Sequence, residues 1–259
     1  MLYIREARLI VGSKEFVTPD FTIYFRVHFD EDEDANDARI EAYNLSKDSE
    51  NSLRQGTPVI LSAGYEGDVG TIFQGVIDDV SIDKQQANRI ATIECTDREL
   101  FKDVRINKSY KEGIKASQII RDIISITGFD VGDFDLPTDK EYRKGKSIDT
   151  SAKNALSEIA KDCGAKFHYN KGRLYMRPKG KGDITGIFVD KEHGLVDTPE
   201  RLEDEEDTGW NIKMLLNHLV TTDVMLQVQS RTANGKFRVR KGEHIKDRNR
   251  FITHVEAVE

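Results

Sequence analysis

The sequence predicts a mainly β protein with an α+β insert between two β-rich segments. Three observations lead to this fold class: alternating apolar and polar residues up to about residue 103, two helical apolar periods in the middle of the chain, and a return to short alternating strands after about residue 180. Alternation with period two indicates strands with one buried face, and a period near 3.6 indicates amphipathic helices. The predicted domains are therefore 1–103, 104–180 and 181–259.

The first block contains the clearest strand signal, at Phe21–Phe29, where Phe, Ile and Val alternate with polar residues. A second strand ends in Tyr43-Asn44-Leu45-Ser46, a polar helix-like segment follows, and a third strand runs into Ala63-Gly64-Tyr65. Several short strands in one unit favour a barrel or sandwich over a doubly wound sheet. Further strands are predicted at 39–43, 58–63, 72–82 and 89–96.

The middle block predicts two helices and a hairpin. Residues 114–127 place isoleucines at helical spacing before Gly128, and residues 151–163 carry a smaller apolar face before Gly164. Glycine just past the last helical residue is a common helix end. A hairpin is expected around Asn170-Lys171-Gly172.

The last block is again read as strands. Asn234-Gly235 is a strong signal for a two-residue hairpin turn, so it predicts the connection between two of these strands. The predicted strands are 184–189, 210–216, 223–230, 236–245 and 250–257.

Composition narrows the class of protein. A chain of 259 residues, 37% hydrophobic and 33% charged, predicts a multi-module globular protein. No apolar run approaches the ~18–20 residues of a membrane span, and Arg5, Glu6 and Arg8 interrupt any leader, so a soluble, unexported protein is expected. Cys95 and Cys163 are expected to be reduced structural thiols. A net charge of −7 argues against wrapping nucleic acid.

Two acidic runs, Asp30–Asp34 and Glu203–Asp207, leave two interpretations open. They are solvated loops, or they form an acidic rim or lumen that repels passing DNA. Neither run has the spaced ligands and glycine of a calcium loop.

No motif in the chain indicates catalysis. A Gly-x-Ser-x-Gly elbow is missing, Gly64–Gly70 lacks the Gly-Lys-Ser/Thr of a phosphate loop, and the histidines lack metal-ligand spacing. We therefore predict no catalytic residue, no cofactor and no metal. A pair of carboxylates suited to glycoside hydrolysis could arise anywhere among 46 acidic residues, so that possibility stays open.

Several motifs follow one another in a distinctive order. They are Ala38–Tyr65, Ile72–Ile77, Cys95-Thr96-Asp97, the stretches KASQIIRDII and NALSEIAKDCGAKFHYNKGRLYMRP, Gly194–Pro199, Trp210–Leu216, Val228–Lys241 and His244. Taken in this order, they resemble the phage baseplate hub proteins, the tail hubs of contractile-tailed phages, prophages and related injection machines. The likeness covers nearly the whole chain.

The resemblance implies two tail-tube-like β-barrels flanking a small α/β module. It also implies a homotrimer whose six barrels form a pseudo-hexameric ring between the tail tube and a central spike or fibre. The implied partners are a tail tube or distal tail protein, a tape-measure protein and a central spike protein, and genomic DNA would pass through the channel without specific binding. The implied location is the tail baseplate of the virion, after assembly in the host bacterial cytoplasm.

The same resemblance implies function by assembly and no enzymatic activity, because cell-wall-cleaving domains of larger relatives are expected to lie beyond the end of this chain. Two alternatives stay open: a tail-associated cell-wall-degrading enzyme, and a spike-base protein of a phage-derived injection machine. At Asn217–Thr222 relatives often have a Pro-containing turn, so the loop geometry there is left open. The residues assigned to assembly are Tyr43, Asn44, Tyr65, Phe73, Trp210 and Arg231.

Overall fold

The computed structural model describes residues 4–31, 36–97, 104–202 and 208–259. Most of each acidic run, 32–34 and 203–207, therefore lies outside the described residues. The described chain is mostly strand, as predicted, with 56% of residues in strands and 12% in helices. Its contacts divide it into two compact units. The sheet unit contains the described residues up to 97 and from 182 onwards, and the insert unit contains residues 104–181.

The first part of the sheet unit follows the predicted strands closely. Buried residues alternate with more exposed ones in Ile23–Phe29, so the period-two pattern is confirmed. Ser46 caps the short helix, because its side chain accepts a hydrogen bond from Ser49 N at 3.1 Å. The elements are β1 (Arg5–Val11), β2 (Lys14–Val17), β3 (Ile23–Phe29), β4 (Asp37–Tyr43), α1 (Lys47–Ser52), β5 (Pro58–Tyr65), β6 (Asp68–Gln85) and β7 (Asn88–Thr96).

The insert unit forms around the two predicted helices. Gly128 ends the first helix in a left-handed conformation at φ 72°, and Ser151 caps the second. The predicted hairpin is confirmed, with positive φ at both Lys171 and Gly172. The elements are β8 (Arg105–Tyr110), β9 (Ile114–Lys115), α2 (Ala116–Thr127), β10 (Val131–Phe134), β11 (Glu141–Tyr142), β12 (Lys146–Ser151), α3 (Ala152–Asp162), β13 (Ala165–Asn170) and β14 (Arg173–Pro178).

The sheet unit resumes after the insert. The predicted two-residue turn at Asn234-Gly235 is wrong, because both residues already pair in a strand and the loop is Ser230–Ala233. Ser230 stabilises that loop by donating its hydroxyl to Ala233 O at 2.9 Å. The elements are β15 (Asp183–Val189), β16 (Glu200–Arg201), β17 (Gly209–Leu215), β18 (Val224–Gln229), β19 (Asn234–Lys246) and β20 (Phe251–Val258).

A single 13-stranded sheet contains both β-rich parts of the chain. Its hydrogen-bonded path is β16-β17-β20-β19-β3-β4-β7-β6-β5-β1-β2, with β18 beside β19 and β15 parallel to β18. The antiparallel ladder between β3 and β19 joins the two parts. Among the described strands this path stays open at β2 and β16.

Two separate hydrophobic cores pack against this one sheet. The first is built mainly from β1 to β7 and includes Leu9, Ile40 and Leu61, which are fully buried. The second is built mainly from β15 and β17 to β20 and includes Leu226 and Val239. Each core also contains residues from the other part of the chain: Leu216 and Phe251 belong to the first core, and Phe29 of β3 belongs to the second.

The two cysteines lie in different units, and neither forms a disulfide, as expected. Both are buried, and burial raises the pKa of the Cys95 thiol to about 12, which keeps it protonated and unreactive. Among the described residues no helix combines the length and apolarity that a membrane crossing requires.

Asp97, at the end of the described part of the first block, is a buried carboxyl group. Its side chain is 2% exposed and accepts one hydrogen bond, from Asn36 Nδ2 at 2.9 Å. Its other oxygen, Oδ1, has no hydrogen-bond partner in the described chain. Burial therefore raises the pKa of Asp97 to about 7.

We expect Asp97→Asn to stabilise the protein at neutral and alkaline pH. Because the folded pKa of Asp97 lies above its unfolded value of 3.8, stability is lost as the pH rises through that interval to about 7. The neutral amide removes this loss, so the gain in unfolding free energy should grow from pH 4 to pH 7 and reach on the order of 4 kcal/mol. Urea denaturation across this pH range measures it, and a gain independent of pH would contradict the assignment.

Candidate assembly interface

Tyr43 is the last residue of β4, and Asn44 follows it directly. The Tyr43 ring packs edge-to-face on Tyr24, with centroids 5.4 Å apart, and is partly exposed. Asn44 adopts φ 55°, a left-handed conformation that Asn tolerates better than most residues. Its Oδ1 accepts from Arg89 N at 3.0 Å and its Nδ2 donates to Asn88 Oδ1 at 3.0 Å. Asn44 therefore links the end of β4 to the start of β7. Because Asn44 is exposed, it is accessible for contact with another chain.

Tyr65 and Phe73 face the first core. Phe73 is 3% exposed, so within this chain it is a core residue. Tyr65 is partly buried and packs edge-to-face on Phe251 of β20 at 5.3 Å. Arg5 covers the same Phe251 ring, with its guanidinium carbon 5.7 Å from the ring centroid. We call Arg5, Tyr65 and Phe251 the aromatic seam.

A polar contact brings the same two parts of the sheet together. His218, in the loop after β17, lies 2.9 Å from Asp68 Oδ1 at the start of β6. Gly70 allows this approach, because a Cβ there would lie 2.1 Å from His218 Nδ1. The loop left open by the sequence is a tight turn in which Asn217 Oδ1 accepts from Leu219 N at 2.9 Å. The seam and this contact therefore hold β1, β5 and β6 beside the β17–β20 side of the sheet.

Trp210 and Arg231 lie in the second half of the sheet unit. Trp210, on β17, is partly buried against the second core and pairs with Ala257 of β20. Arg231 is exposed in the loop between β18 and β19. It lines a surface cleft of ≈ 460 Å³ together with Asp190, Asp197 and Gln229. The structure does not bring Trp210 and Arg231 into contact with the first four predicted residues.

Ion pairs cover the outer face of the β3–β19 ladder. His28 Nδ1 lies 3.0 Å from Asp37 Oδ2, and His28 Nε2 lies 3.4 Å from Glu243. Arg26 and His254 also approach Glu243, at 3.3 and 3.5 Å. The hydrogen bond to Asp37 raises the pKa of His28, and the same bond lowers the pKa of Asp37. His28 is therefore a partly exposed histidine held in a surface ion-pair cluster.

Metal-ligating side chains are not clustered in the described part of the chain, which contains no group of three or more His, Cys, Asp or Glu side chains that could hold a metal ion. His244, on the inner side of β19, is fully buried, and its Nδ1 lies 2.9 Å from Thr253 Oγ1. It is therefore a packed, hydrogen-bonded core residue.

Comparison with solved structures gives end-to-end matches. The 43 kDa tail protein of prophage MuSo2 from Shewanella oneidensis superposes with a TM-score of 0.72 at 11% identity, over 98% of each chain. The tail protein from Neisseria meningitidis MC58 gives 0.71 at 11% identity, over 99% of this chain and 97% of that one. The fold is that of prophage tail proteins. This match confirms the resemblance to phage tail proteins and the mainly β fold class, while the arrangement as two barrels stays a prediction.

The same fold occurs in an injection machine. A component of the Escherichia coli type VI secretion system, described as structurally similar to the T4 phage tail proteins gp27 and gp5, matches with a TM-score of 0.63 at 11% identity. The match covers 96% of this chain and 76% of that one. No protein-family model matches this chain, and no curated protein matches it in sequence.

The partners that organise the predicted residues leave no local signal in the sequence. Arg5, Phe251 and His218 carry no local motif, because each acts through a residue at least 150 positions away. The sequence shows Phe251 only as an apolar residue near the start of a predicted strand, and that pattern does not reveal its partner.

We expect the aromatic seam to be energetically coupled. Phe251→Ala should cost about 3–5 kcal/mol of unfolding free energy, because Phe251 is 1% exposed in a packed core. In a double-mutant cycle with Tyr65→Ala, the coupling energy should be about 1 kcal/mol. Tyr65→Ala with Phe237→Ala, which lies in the second core, is the matched control and should be additive. Additivity at Tyr65 and Phe251 would contradict the seam.

The His28–Asp37 pair should make stability depend on pH. Because the folded pKa of His28 is above its unfolded value of 6.5, the pair stabilises fully below about pH 6.5 and this contribution disappears as pH rises through the folded pKa. Asp37, whose pKa is lowered from 3.8, loses its share only at more acidic pH. His28→Gln should therefore lose under about 1 kcal/mol at pH 5–6 and almost nothing at pH 8.5, since the pair is half exposed.

Chemical denaturation at several pH values measures this difference, and an NMR titration of His28 reports its pKa directly. Asp37→Asn serves as the companion variant and should show the same loss at pH 5–6. Equal destabilisation by His28→Gln at both ends of the range would refute the pH dependence.

Proposed function

We propose that this chain is a non-enzymatic structural subunit of the baseplate hub of a phage or prophage tail. The observation that carries the proposal is the match to prophage tail protein structures over 98% of both chains. The match includes the sheet unit and the insert unit, so it involves the whole domain order and not one common module.

In this proposal the sheet unit contributes two tube-like barrels, within residues 1–103 and 181–259, and residues 104–180 form the module between them in sequence. Two separate hydrophobic cores in one sheet support two lobes. The aromatic seam supports curling of the first lobe, because it places β5 against β20 although these strands are far apart along the hydrogen-bonded path.

Three such subunits would supply six lobes, which fits a pseudo-hexameric ring between a sixfold tube and a threefold spike. Closed rings are built from one heterologous contact repeated around an axis. The proposed neighbours are a tail tube or distal tail protein, a tape-measure protein and a central spike protein, with DNA passing through the channel. Tyr43, Asn44, Tyr65, Trp210 and Arg231 are proposed contact positions, in the virion tail after assembly in the host cytoplasm.

A second candidate has its own support. The fold is shared with the type VI secretion component, so the chain could serve as the spike base of a phage-derived injection machine. Genome neighbours distinguish the two: capsid and terminase genes indicate a phage, whereas sheath genes without them indicate a machine. A tail-associated wall-degrading enzyme is the remaining alternative, and lytic activity of the intact chain in a cell-wall zymogram would support it over our proposal.

We expect the purified chain to assemble as a trimer at high concentration. Three chains of 29.5 kDa have a mass of about 88 kDa, and ring formation is favoured because one interface closes on itself. Light scattering coupled to size-exclusion chromatography gives the mass, and negative-stain electron microscopy should show rings with six lobes. A chain that stays monomeric at every concentration, and forms no ring with a co-expressed tube protein, would refute the proposal.

A further inference from the structure

One end of the sheet carries three cations that have no carboxylate partner. Lys246 ends β19, Arg248 lies in the turn between β19 and β20, and Arg5 begins β1. Lys246 and Arg5 both lie over the Phe251 ring, at 6.0 and 5.7 Å from its centroid. In the described chain none of the three forms an ion pair, whereas the neighbouring Arg250 binds Asp247 at 2.6 Å. We call Arg5, Lys246 and Arg248 the cationic rim.

The environment of the rim is costly for positive charge. Burial, and to a smaller extent the nearby charge of Arg5, together lower the pKa of Lys246 to about 8. Ile4, next to Arg5, is 53% exposed. Arg248 lies close enough to Tyr43 for its positive charge to act on the hydroxyl group of that residue. Arg and Tyr with an exposed apolar side chain are the composition of a protein contact surface.

A second feature carries the opposite charge. The hairpin of β6 and β7 extends beyond the core, and residues 81–89 are all exposed. Asp79 and Asp83 lie on one face of β6 because they are four positions apart in a strand, and Asp78 sits at the adjacent bulge. None of the three forms an ion pair in the described chain. We call Asp78, Asp79 and Asp83 the acidic arm.

Strand register relates Lys246 of the rim to the arm across four ladders. Lys246 pairs with Phe25, Phe25 with Ile40, Ile40 with Ile93, and Ile93 with Val80, which lies within the arm. Four strand spacings of about 4.8 Å separate Lys246 from Val80 by roughly 19 Å along the sheet. Arg5 pairs with Tyr65 and Tyr65 with Asp68, so Arg5 lies level with the other end of β6. The rim and the arm are therefore two different places on the sheet unit.

We propose that the acidic arm of one copy docks on the cationic rim of the next copy. The inference rests on the proposed ring, in which two different surfaces of one chain must be complementary. Opposite charges left without partners on those two surfaces meet this requirement. Nucleic acid is the less favoured occupant, because the rim has only three cations on a chain of net charge −7.

Charge exchange tests the contact. The rim variant is Lys246→Glu with Arg248→Glu, and the arm variant is Asp79→Lys with Asp83→Lys. Each alone should weaken trimer association at least about tenfold, because like charges then face each other across the contact. The two sets combined in one chain should restore association to within about threefold of wild type, since the charges are only exchanged. Analytical ultracentrifugation gives the association constants, and added salt should weaken the wild type.

A matched control changes the same charge elsewhere. Lys111→Glu with Arg143→Glu alters two exposed residues of the insert unit that form no ion pair in the described chain, and it should leave association unchanged. Circular dichroism melting of every variant establishes that the chain is folded, and both altered regions are surface turns or strand extensions.

Four results would overturn the contact. If neither the rim variant nor the arm variant weakens trimer association, the contact is overturned and the proposed ring is not. A combined variant that does not recover association also overturns the contact. Loss of binding to a double-stranded DNA oligonucleotide in the rim variant, with normal trimers, assigns the rim to phosphate instead. A wild-type chain that never associates refutes the proposed function itself, and the contact with it.

Discussion

The β3–β19 ladder is the interaction on which the sheet unit depends. It pairs residues more than 200 positions apart, such as His28 with Glu243, and no other strand pair in the described chain links the first β-rich part to the last. The insert unit is encoded between them, so the ladder must form after a long loop has closed. The ion pairs on its outer face add a modest pH-dependent term, while Phe29 and Phe251 place one side chain of each part in the core of the other.

Charge in this protein is distributed to meet two different requirements. Inside the sheet unit, cations and carboxylates are mostly matched locally, as in Arg89 with Glu50 and Arg39 with Glu94. Two groups of charges without ion pairs in the described chain lie on different strands, with Lys246 at the end of β19 and three carboxylates on β6. A monomer gains nothing from this separation, because exposed single charges contribute little to stability. A ring gains specificity and orientation from it.

A fold shared with a prophage tail protein at only 11% sequence identity is physically reasonable for such a sheet. The fold requires strands that alternate in polarity, turns with the right backbone freedom and a core of suitable volume, and many sequences satisfy these conditions. Particular contacts such as the aromatic seam are less transferable, because they depend on which strand ends meet. Function is likewise carried by surfaces on the fold and not by the fold alone.

The sequence by itself determined the local elements, because apolar periodicity and capping residues act within a few positions: the strands of the first block, both helices of the insert, the Lys171-Gly172 turn and the reduced cysteines. Tertiary structure decided the rest. Asn234-Gly235 became part of a strand because Ser230 and Ala233 form the turn instead, and Phe73 became a core residue because β6 faces inward there. The contact of Tyr65 with Phe251 and the pairing of β3 with β19 join residues that are far apart in the sequence. Such pairing depends on how the sheet curls, and no local pattern in the sequence encodes the curl.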